Sequence, residues 1–158
     1  ICRNGGVVEV MNKKVYAVGL DVSSLIHLNP KWSFDMQLEA KQGTNHPLYF
    51  ALAPELRPVN PDEYQIRGAY FLPHVRYEIN HKNLSALELS CRYEYLDTNF
   101  RLNSNPRQTI IPMFGLEFLK DYGARLQLGM QFDRHKHSIE NTSQYNNNLF
   151  IVQVQSRF

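Results

Sequence analysis

Charged residues recur at every second position in several segments of this chain, and this spacing suggests what chemistry they can do. In an extended strand, residues two apart point to the same side, so Glu88, Arg92 and Glu94 share a face. Fixed charges of both signs along a water-filled lumen act on passing ions as rings of charge. The candidate pore-lining residues are Arg76, Arg92, Arg125, Arg157, Glu39, Glu78, Glu88, Glu94 and Glu117. The alternative is a salt-bridge network that fills the interior of a narrow barrel.

The spacing of the polar residues gives little support for a catalytic site. Asp35 and Glu39 are four residues apart, which places their side chains about 13 Å apart on one face of a strand. That separation is too wide for the paired carboxylates of glycosidases. Ser, His and Asp all occur, but the chain has no nucleophile elbow or other fixed catalytic motif. We therefore expect no enzymatic activity, no catalytic residue and no cofactor.

A histidine pair, His135 and His137, would project both imidazoles to one side of an extended segment. A metal ion needs at least a third ligand, for which Asp133 and Glu140 are the candidates. Exposed loop histidines without a metal are the simpler interpretation, and we expect no metal site.

Seven segments alternate between apolar and polar residues with the period of two that is typical of strands between two environments. The clearest is Lys31–Gly43, where apolar residues from Trp32 to Ala40 alternate with polar ones. The predicted strands are Lys14–Ile26, Lys31–Gly43, Gln65–Ile79, Ser85–Asp97, Gln108–Leu119, Ala124–Asp133 and Leu149–Phe158. Pro73 cannot donate to a ladder, so a bulge or another irregularity is expected there. The predicted fold class is all-β and antiparallel.

The connections between these strands alternate strictly between short and long, and the longest is Thr44–Tyr64. Outer-membrane β-barrels have this asymmetry, with short periplasmic turns and long extracellular loops. We therefore predict a transmembrane β-barrel in the outer membrane of a Gram-negative bacterium, surrounded by lipid. Three roles stay open for the proline-rich Thr44–Tyr64 connection: a constriction inside the lumen, a contact with a partner protein, or a stiffened surface loop.

The composition agrees with a barrel wall. No run of eighteen apolar residues is present, so no transmembrane helix is expected. Aromatic residues make up 12% of the chain, which suits the girdles that flank membrane strands. The candidate lipid-interface aromatics are Trp32, Phe34, Tyr93, Tyr95, Phe118, Phe132, Phe150 and Phe158. The net charge of +2 is small and scattered, so nucleic acid is not an expected partner.

The last segment, Leu149–Phe158, ends on an aromatic residue. Closing strands of outer-membrane barrels end at the lipid interface, where an aromatic ring is stabilised. We expect the barrel-assembly machinery to bind this strand. Seven strands is an odd count, whereas bacterial single-chain barrels have even counts. Either Val7–Val10 supplies an eighth strand of a single barrel domain over 1–158, or the chain is the C-terminal part of a larger barrel; the loop alternation favours the second.

Two stretches carry a family resemblance. Leu87–Asp97 follows the pattern E-L-x-x-R-Y-x-x-L-D and, together with the closing segment Asn147–Phe158, resembles the phosphate-selective porin family. The resemblance implies a sixteen-stranded trimeric porin whose pore carries a ladder of arginines and a lysine cluster. Arg92 and Arg157 match inward basic positions of these strands. The chain departs from the family because it has no dense lysine cluster and its inward glutamates nearly balance its arginines.

The predicted function is passive diffusion of small hydrophilic solutes, anions among them, through a porin-like channel. The alternative is a small or plugged barrel that serves as a structural or interaction subunit of an outer-membrane protein complex. The expected assembly is a homotrimer or an envelope complex. A soluble lipocalin-like carrier is a third hypothesis. Such a carrier needs an apolar interior, whereas the inward positions of the predicted strands are rich in Glu, Arg, Gln and Asp.

Overall fold

Strands form where the period-two alternation predicts them. The computed structural model describes residues 16–45, 64–101, 104–119, 123–137 and 148–156, and every regular element in these ranges is a strand. The strands are β1 (Ala17–Asn29), β2 (Trp32–Thr44), β3 (Gln65–His81), β4 (Leu84–Asp97), β5 (Arg107–Leu119), β6 (Ala124–His135) and β7 (Leu149–Ser156). Within these ranges, the prediction of an all-β fold with seven strands is confirmed. The described ranges contain no helix that is long and apolar enough to cross a membrane.

The strands form a single antiparallel meander in the order β1-β2-β3-β4-β5-β6-β7. Each strand pairs with its neighbours in the chain, as antiparallel hairpins allow. β1 and β7 are the two edges, and no pairing joins them within the described residues. The antiparallel fold is therefore as predicted, whereas this part of the chain forms an open sheet and not a closed barrel.

Short and long connections alternate as predicted. Residues 46–63, most of the predicted Thr44–Tyr64 connection, lie outside the described residues. β1, β3 and β5 finish at one end of the sheet, ahead of the short connections, and β2, β4 and β6 finish at the other, ahead of the long ones. We call these the turn end and the loop end.

Asparagines lie at two of the turns, where Asn29 acts through its side chain and Asn80 through its backbone conformation. Asn29 Oδ1 accepts hydrogen bonds from the backbone N–H of Lys31 at 2.9 Å and of Trp32 at 3.0 Å, an arrangement that closes a turn locally. β1 therefore continues to Asn29, three residues beyond its predicted end at Ile26. Asn80, ahead of the second turn, has a φ of 54°, which Asn tolerates better than most residues. The candidate eighth strand, Val7–Val10, lies outside the described residues.

The pairing register sorts the side chains onto two faces, because antiparallel partners stand opposite one another on the same face. One row crosses all seven strands as Ile26, Phe34, Val75, Leu89, Phe114, Leu128 and Val152. A neighbouring row crosses as His27, Ser33, Arg76, Glu88, Gly115, Gln127 and Gln153. We call the two sides the apolar face and the polar face. The predicted alternation is confirmed across the whole sheet.

Burial on these faces is the reverse of that in a water-soluble sheet. Among the described residues, the buried apolar ones are Tyr64 and Ala86, whereas the buried polar ones include Glu88, Thr109 and Glu117. Large apolar side chains stand exposed on every strand, among them Leu20, Trp32, Phe71, Leu89, Phe114, Met130 and Val152. The interior of the sheet is therefore on its polar side.

Two prolines lie inside the sheet, where each lacks the N–H of a ladder bond. Pairing of β3 with β4 is interrupted at Leu72 and Pro73, but the register is the same on both sides of the gap. β5 and β6 show the same interruption at Pro112. The irregularity expected at Pro73 is therefore confirmed, as an interruption of the ladder and not as a bulge. The strand stays in register because a proline lacks a donor toward one neighbour only, and Pro73 still stands opposite Met36 on β2.

We predict that Gly115→Ala destabilises the sheet, because the added Cβ would lie 2.9 Å from Oε2 and 3.0 Å from Cβ of the buried Glu88. Such overpacking should lower the free energy of unfolding by about 1–3 kcal/mol, measured by urea titration of the refolded protein. Gly68→Ala is the matched control, since its Cβ would meet Leu96 and Tyr95 at an ordinary 3.4 Å. Equal unfolding midpoints for the two variants would contradict the prediction.

Candidate functional site

The candidate site lies on the polar face, where the register brings charged residues of neighbouring strands together. Arg76 of β3 donates to Glu117 Oε2 of β5 from Nε at 2.9 Å and from Nη2 at 2.8 Å. Its Nη1 donates to Glu78 Oε1 at 2.7 Å. Glu117 is 0% exposed. One guanidinium therefore joins a buried and a half-exposed carboxylate by reaching across β4.

Glu88 occupies the middle of the same face at 3% exposure. Its Oε2 lies 3.6 Å from Arg125 Nη1 and 3.8 Å from His74 Nε2. Gln127 Nε2 donates to the same oxygen at 3.5 Å. Glu88 Oε1 has no hydrogen-bond donor among the described residues. A buried carboxylate oxygen in that position favours contact with water or a cation. We call His74, Arg76, Glu78, Glu88, Glu117 and Arg125 the buried charge cluster.

Small residues leave room for this cluster. Ala86 of β4 is fully buried and stands opposite Glu117, so the Arg76 side chain passes over β4 without a clash. Gly115 of β5 stands opposite Glu88 and has no Cβ to displace it. The close pairing of long charged side chains therefore depends on two residues without bulk.

A second polar group ties β5 to β6 nearer the loop end. Asp133 accepts from Arg107, whose Nη2 lies 2.9 Å from Oδ1 and 3.0 Å from Oδ2. It also accepts from Thr109 Oγ1, and from Gln131 Nε2 at 2.6 Å. Arginine and carboxylate paired through two oxygens form one of the stronger hydrogen-bonded contacts in proteins. All of its acceptor capacity is used inside the sheet, so this group is structural.

A third set of charges is more exposed. Arg92 Nε lies 2.6 Å from Glu94 Oε1 on β4, and its guanidinium lies 5.0 Å from the centroid of the Tyr70 ring. Lys41 contacts Glu39 on β2. These residues line a trough of about 600 Å³ toward the loop end. The side chains of Arg92 and Lys41 are 45% and 71% exposed, so water reaches these charges.

All of the predicted pore-lining residues that the structure describes lie on the polar face: Glu39, Arg76, Glu78, Glu88, Arg92, Glu94, Glu117 and Arg125. Arg76, Glu78, Glu88, Glu117 and Arg125 meet in the buried charge cluster. Arg92 and Glu94 form a separate pair, and Arg157 lies outside the described residues. Their shared face is as predicted, and their role in lining a pore stays a prediction.

Sequence reasoning did not place several members of these groups on the polar face, namely His74, Arg107, Thr109, Gln127 and Asp133, although it named Asp133 as a candidate metal ligand. Most share the two-residue phase of the predicted charges, so extending that phase to uncharged and strand-end positions would have found them. It would not have shown that Asp133 accepts hydrogen bonds from three side chains, because those contacts depend on how β5 and β6 are aligned.

The predicted lipid-interface aromatics within the described ranges, Trp32, Phe34, Tyr93, Tyr95, Phe118, Phe132 and Phe150, lie on the apolar face. They gather toward its two ends. Trp32 and Phe118 lie near the turn end, and Tyr95 and Phe132 lie near the loop end. Trp32 contacts Tyr77 with ring centroids 4.6 Å apart. Phe158 lies outside the described residues.

The two histidines considered as metal ligands, His135 and His137, lie at the end of β6 and just beyond it. His135 ends β6, and the backbone N–H of His137 donates to Asn105 Oδ1 at 2.8 Å. Asn105 Nδ2 returns a bond to the carbonyl of His137 at 3.2 Å. In the part of the chain that the structure describes, no group of three His, Cys, Asp or Glu residues is placed to hold a metal ion. Glu140 lies outside that part.

The chain matches no family model, no curated protein and no solved structure. Its resemblance to the phosphate-selective porin family stays a prediction from the residues of β4 and β7.

We predict that Glu117→Gln strongly destabilises the protein. The substitution removes the fully buried anion that accepts two hydrogen bonds from Arg76, and breaking a buried ion pair typically costs about 3–5 kcal/mol. Glu78→Gln is the matched control, because Glu78 binds the same guanidinium but its side chain is 38% exposed, and exposed pairs contribute about 0–1 kcal/mol. Urea unfolding of both variants measures the difference. A loss from Glu78→Gln as large as that from Glu117→Gln would count against a buried role for Glu117.

Proposed function

We propose that this sheet is part of the wall of an outer-membrane β-barrel, and that the barrel is a porin-like channel for passive diffusion of small hydrophilic solutes. The observation that carries the proposal is the inverted sheet, with an exposed apolar face and a buried charged one. In water, exposed apolar area costs about 25 cal/mol per Å². Lipid removes that cost, and a wet lumen solvates the opposite face.

The edges of the sheet support a larger closed structure. Within the described residues, the outer edges of β1 and β7 have no strand partner, and the two strands run in the same direction because an even number of antiparallel steps separates them. A lipid-embedded sheet needs every backbone polar group paired. A fully antiparallel closure therefore requires an odd number of further strands. One strand from the region of Val7–Val10 satisfies this parity, and so does the sixteen-stranded barrel implied by the porin resemblance.

The charges of the polar face favour a channel of modest ion selectivity. The buried charge cluster holds three glutamates and two arginines beside His74, and Arg92 is paired with Glu94. Opposite charges at such close range largely cancel in the field that a permeating ion feels. Anions are among the proposed solutes because Arg92 and Lys41 are the most exposed cations of the solvated trough.

A second candidate is a plugged barrel that serves as an interaction subunit of an outer-membrane complex. The full burial of Glu117 and the near-full burial of Glu88 favour it, because side chains that exclude water from the polar face leave less room for a solute. Both candidates share the outer-membrane location, lipid surroundings and recognition by the barrel-assembly machinery. The homotrimer belongs to the first candidate and the envelope complex to the second.

We predict that Val152→Arg destabilises the folded protein strongly and that Gln153→Arg has little effect on its stability. These neighbours on β7 are both exposed, but Val152 lies on the apolar face and Gln153 on the polar face. An arginine facing lipid near the midplane costs about 2–4 kcal/mol, whereas one facing a wet lumen costs little. The measurement is urea unfolding of protein refolded into phosphatidylcholine vesicles. If Val152→Arg folds as stably as the parent protein and needs no detergent, the membrane proposal is wrong.

Single-channel conductance in a planar bilayer with a salt gradient separates the two candidates. We expect stable current steps, and we expect Arg92→Glu to move the reversal potential toward cation preference because it reverses a solvated charge of the trough. Arg134→Glu is the control, since Arg134 stands opposite Gln108 in the register of the apolar face. Silence from folded, heat-modifiable protein would favour the plugged barrel.

A further inference from the structure

The apolar face carries a groove of about 540 Å³ near the loop end of β1 to β4. Its floor is a row of side chains that crosses the four strands as Leu20, Ala40, Ala69 and Tyr95. The two alanines are short between a leucine and a tyrosine, and this difference in length creates the groove. The next row toward the loop end is Val18, Gln42, Arg67 and Asp97.

Arg67 is a cation on the apolar face. Its Nη2 donates to Tyr95 Oη at 2.9 Å. The guanidinium lies 4.6 Å from the centroid of the Phe100 ring and 5.5 Å from that of Tyr95, so two aromatic rings fix its position by cation–π contact. The side chain is still 45% exposed.

The neighbouring carboxylate of Asp97 forms an ion pair with this guanidinium but accepts no hydrogen bond from it. Asp97 Oδ2 lies 3.8 Å from Arg67 Nη2, which is beyond hydrogen-bond distance. Asp97 is itself fully buried and accepts a hydrogen bond from Ser104 Oγ at 2.6 Å. Arg67 therefore keeps donor capacity toward the exposed side, where an outside anion can approach it.

We propose that this groove binds one anionic membrane lipid that carries acyl chains and a phosphate group, with an acyl chain along Leu20, Ala40 and Ala69 and the phosphate on Arg67. The groove matches the order of the parts of a lipid. Its apolar floor lies toward the middle of the sheet, where an acyl chain would lie, and the guanidinium lies nearer the loop end, where a headgroup would lie. Arginine matches phosphate oxygens through paired N–H donors. This inference rests on the proposed membrane location and specifies a lipid partner for its outer surface.

The test compares lipid binding by detergent-purified, refolded protein in native mass spectrometry, with dimyristoyl phosphatidylglycerol as the anionic probe and dimyristoyl phosphatidylcholine as the neutral one. We expect the parent protein to retain phosphatidylglycerol at lower lipid concentration. Arg67→Gln should weaken that retention about tenfold or more, because it removes a charged donor to phosphate. Ala69→Leu should fill the groove and weaken retention of the same lipid.

Arg134→Gln is the matched control, because Arg134 also lies on the apolar face near the loop end but on β6, away from the groove. Equal losses from Arg67→Gln and Arg134→Gln would mean a general attraction of anionic lipid and would overturn the proposal. Displacement of the lipid by inorganic phosphate alone would overturn the acyl-chain contact. A protein that folds without detergent would refute the membrane location itself, an outcome that is separate from loss of lipid selectivity in a folded, heat-modifiable barrel.

Discussion

The cost of removing ionised side chains from water governs this sheet. A buried carboxylate is tolerated only where a cation and hydrogen bonds replace its hydration shell. Glu117 has both from Arg76, and much of the surrounding sequence follows from that need. Ala86 clears the path of the guanidinium over β4, and Gly115 leaves space for Glu88 beside it. The small residues of β4 and β5 thus serve the charged ones.

A sheet that places its charges inside has no apolar core to stabilise it. Within the described residues, almost all large apolar side chains are exposed or half-buried, so the hydrophobic effect contributes fully only where an apolar medium covers them. The outer edges of β1 and β7, which have no strand partner in the part of the chain that the structure describes, impose a similar demand, because exposed ladder groups need partners. Lipid on one face and further strands at the edges meet both demands together, which is why the proposed barrel accounts for the sheet better than a soluble carrier does.

The polar face is not uniform from end to end. Toward the turn end, Arg76, Glu88 and Glu117 are closely paired and buried. Toward the loop end, Arg92 and Lys41 line an open trough. In the proposed channel, this gradient gives a wide, hydrated mouth on the loop side and a narrower, charge-paired region on the turn side. Whether that region conducts is the physical difference between the porin and the plugged barrel.

Much of the fold was predictable because strand alternation is a local property. The period of two places Arg92 and Leu89 on opposite faces whatever the neighbouring strands do, and turn residues such as Asn29 end the strands close to where the pattern ends. A proline was harder to interpret. Pro73 interrupts one ladder without a bulge, because the ladders on both sides of the gap hold the strand in register.

The sequence by itself determined which side chains share a face, and the tertiary structure alone decided which of them meet. A strand that slips by two residues keeps every side chain on its face but exchanges all of its cross-strand partners. The contacts of Arg76 with Glu117 and of Thr109 with Asp133 therefore depend on the relative alignment of strands far apart in sequence. The same holds for the groove beside Arg67, which exists because Ala40 and Ala69 stand opposite one another.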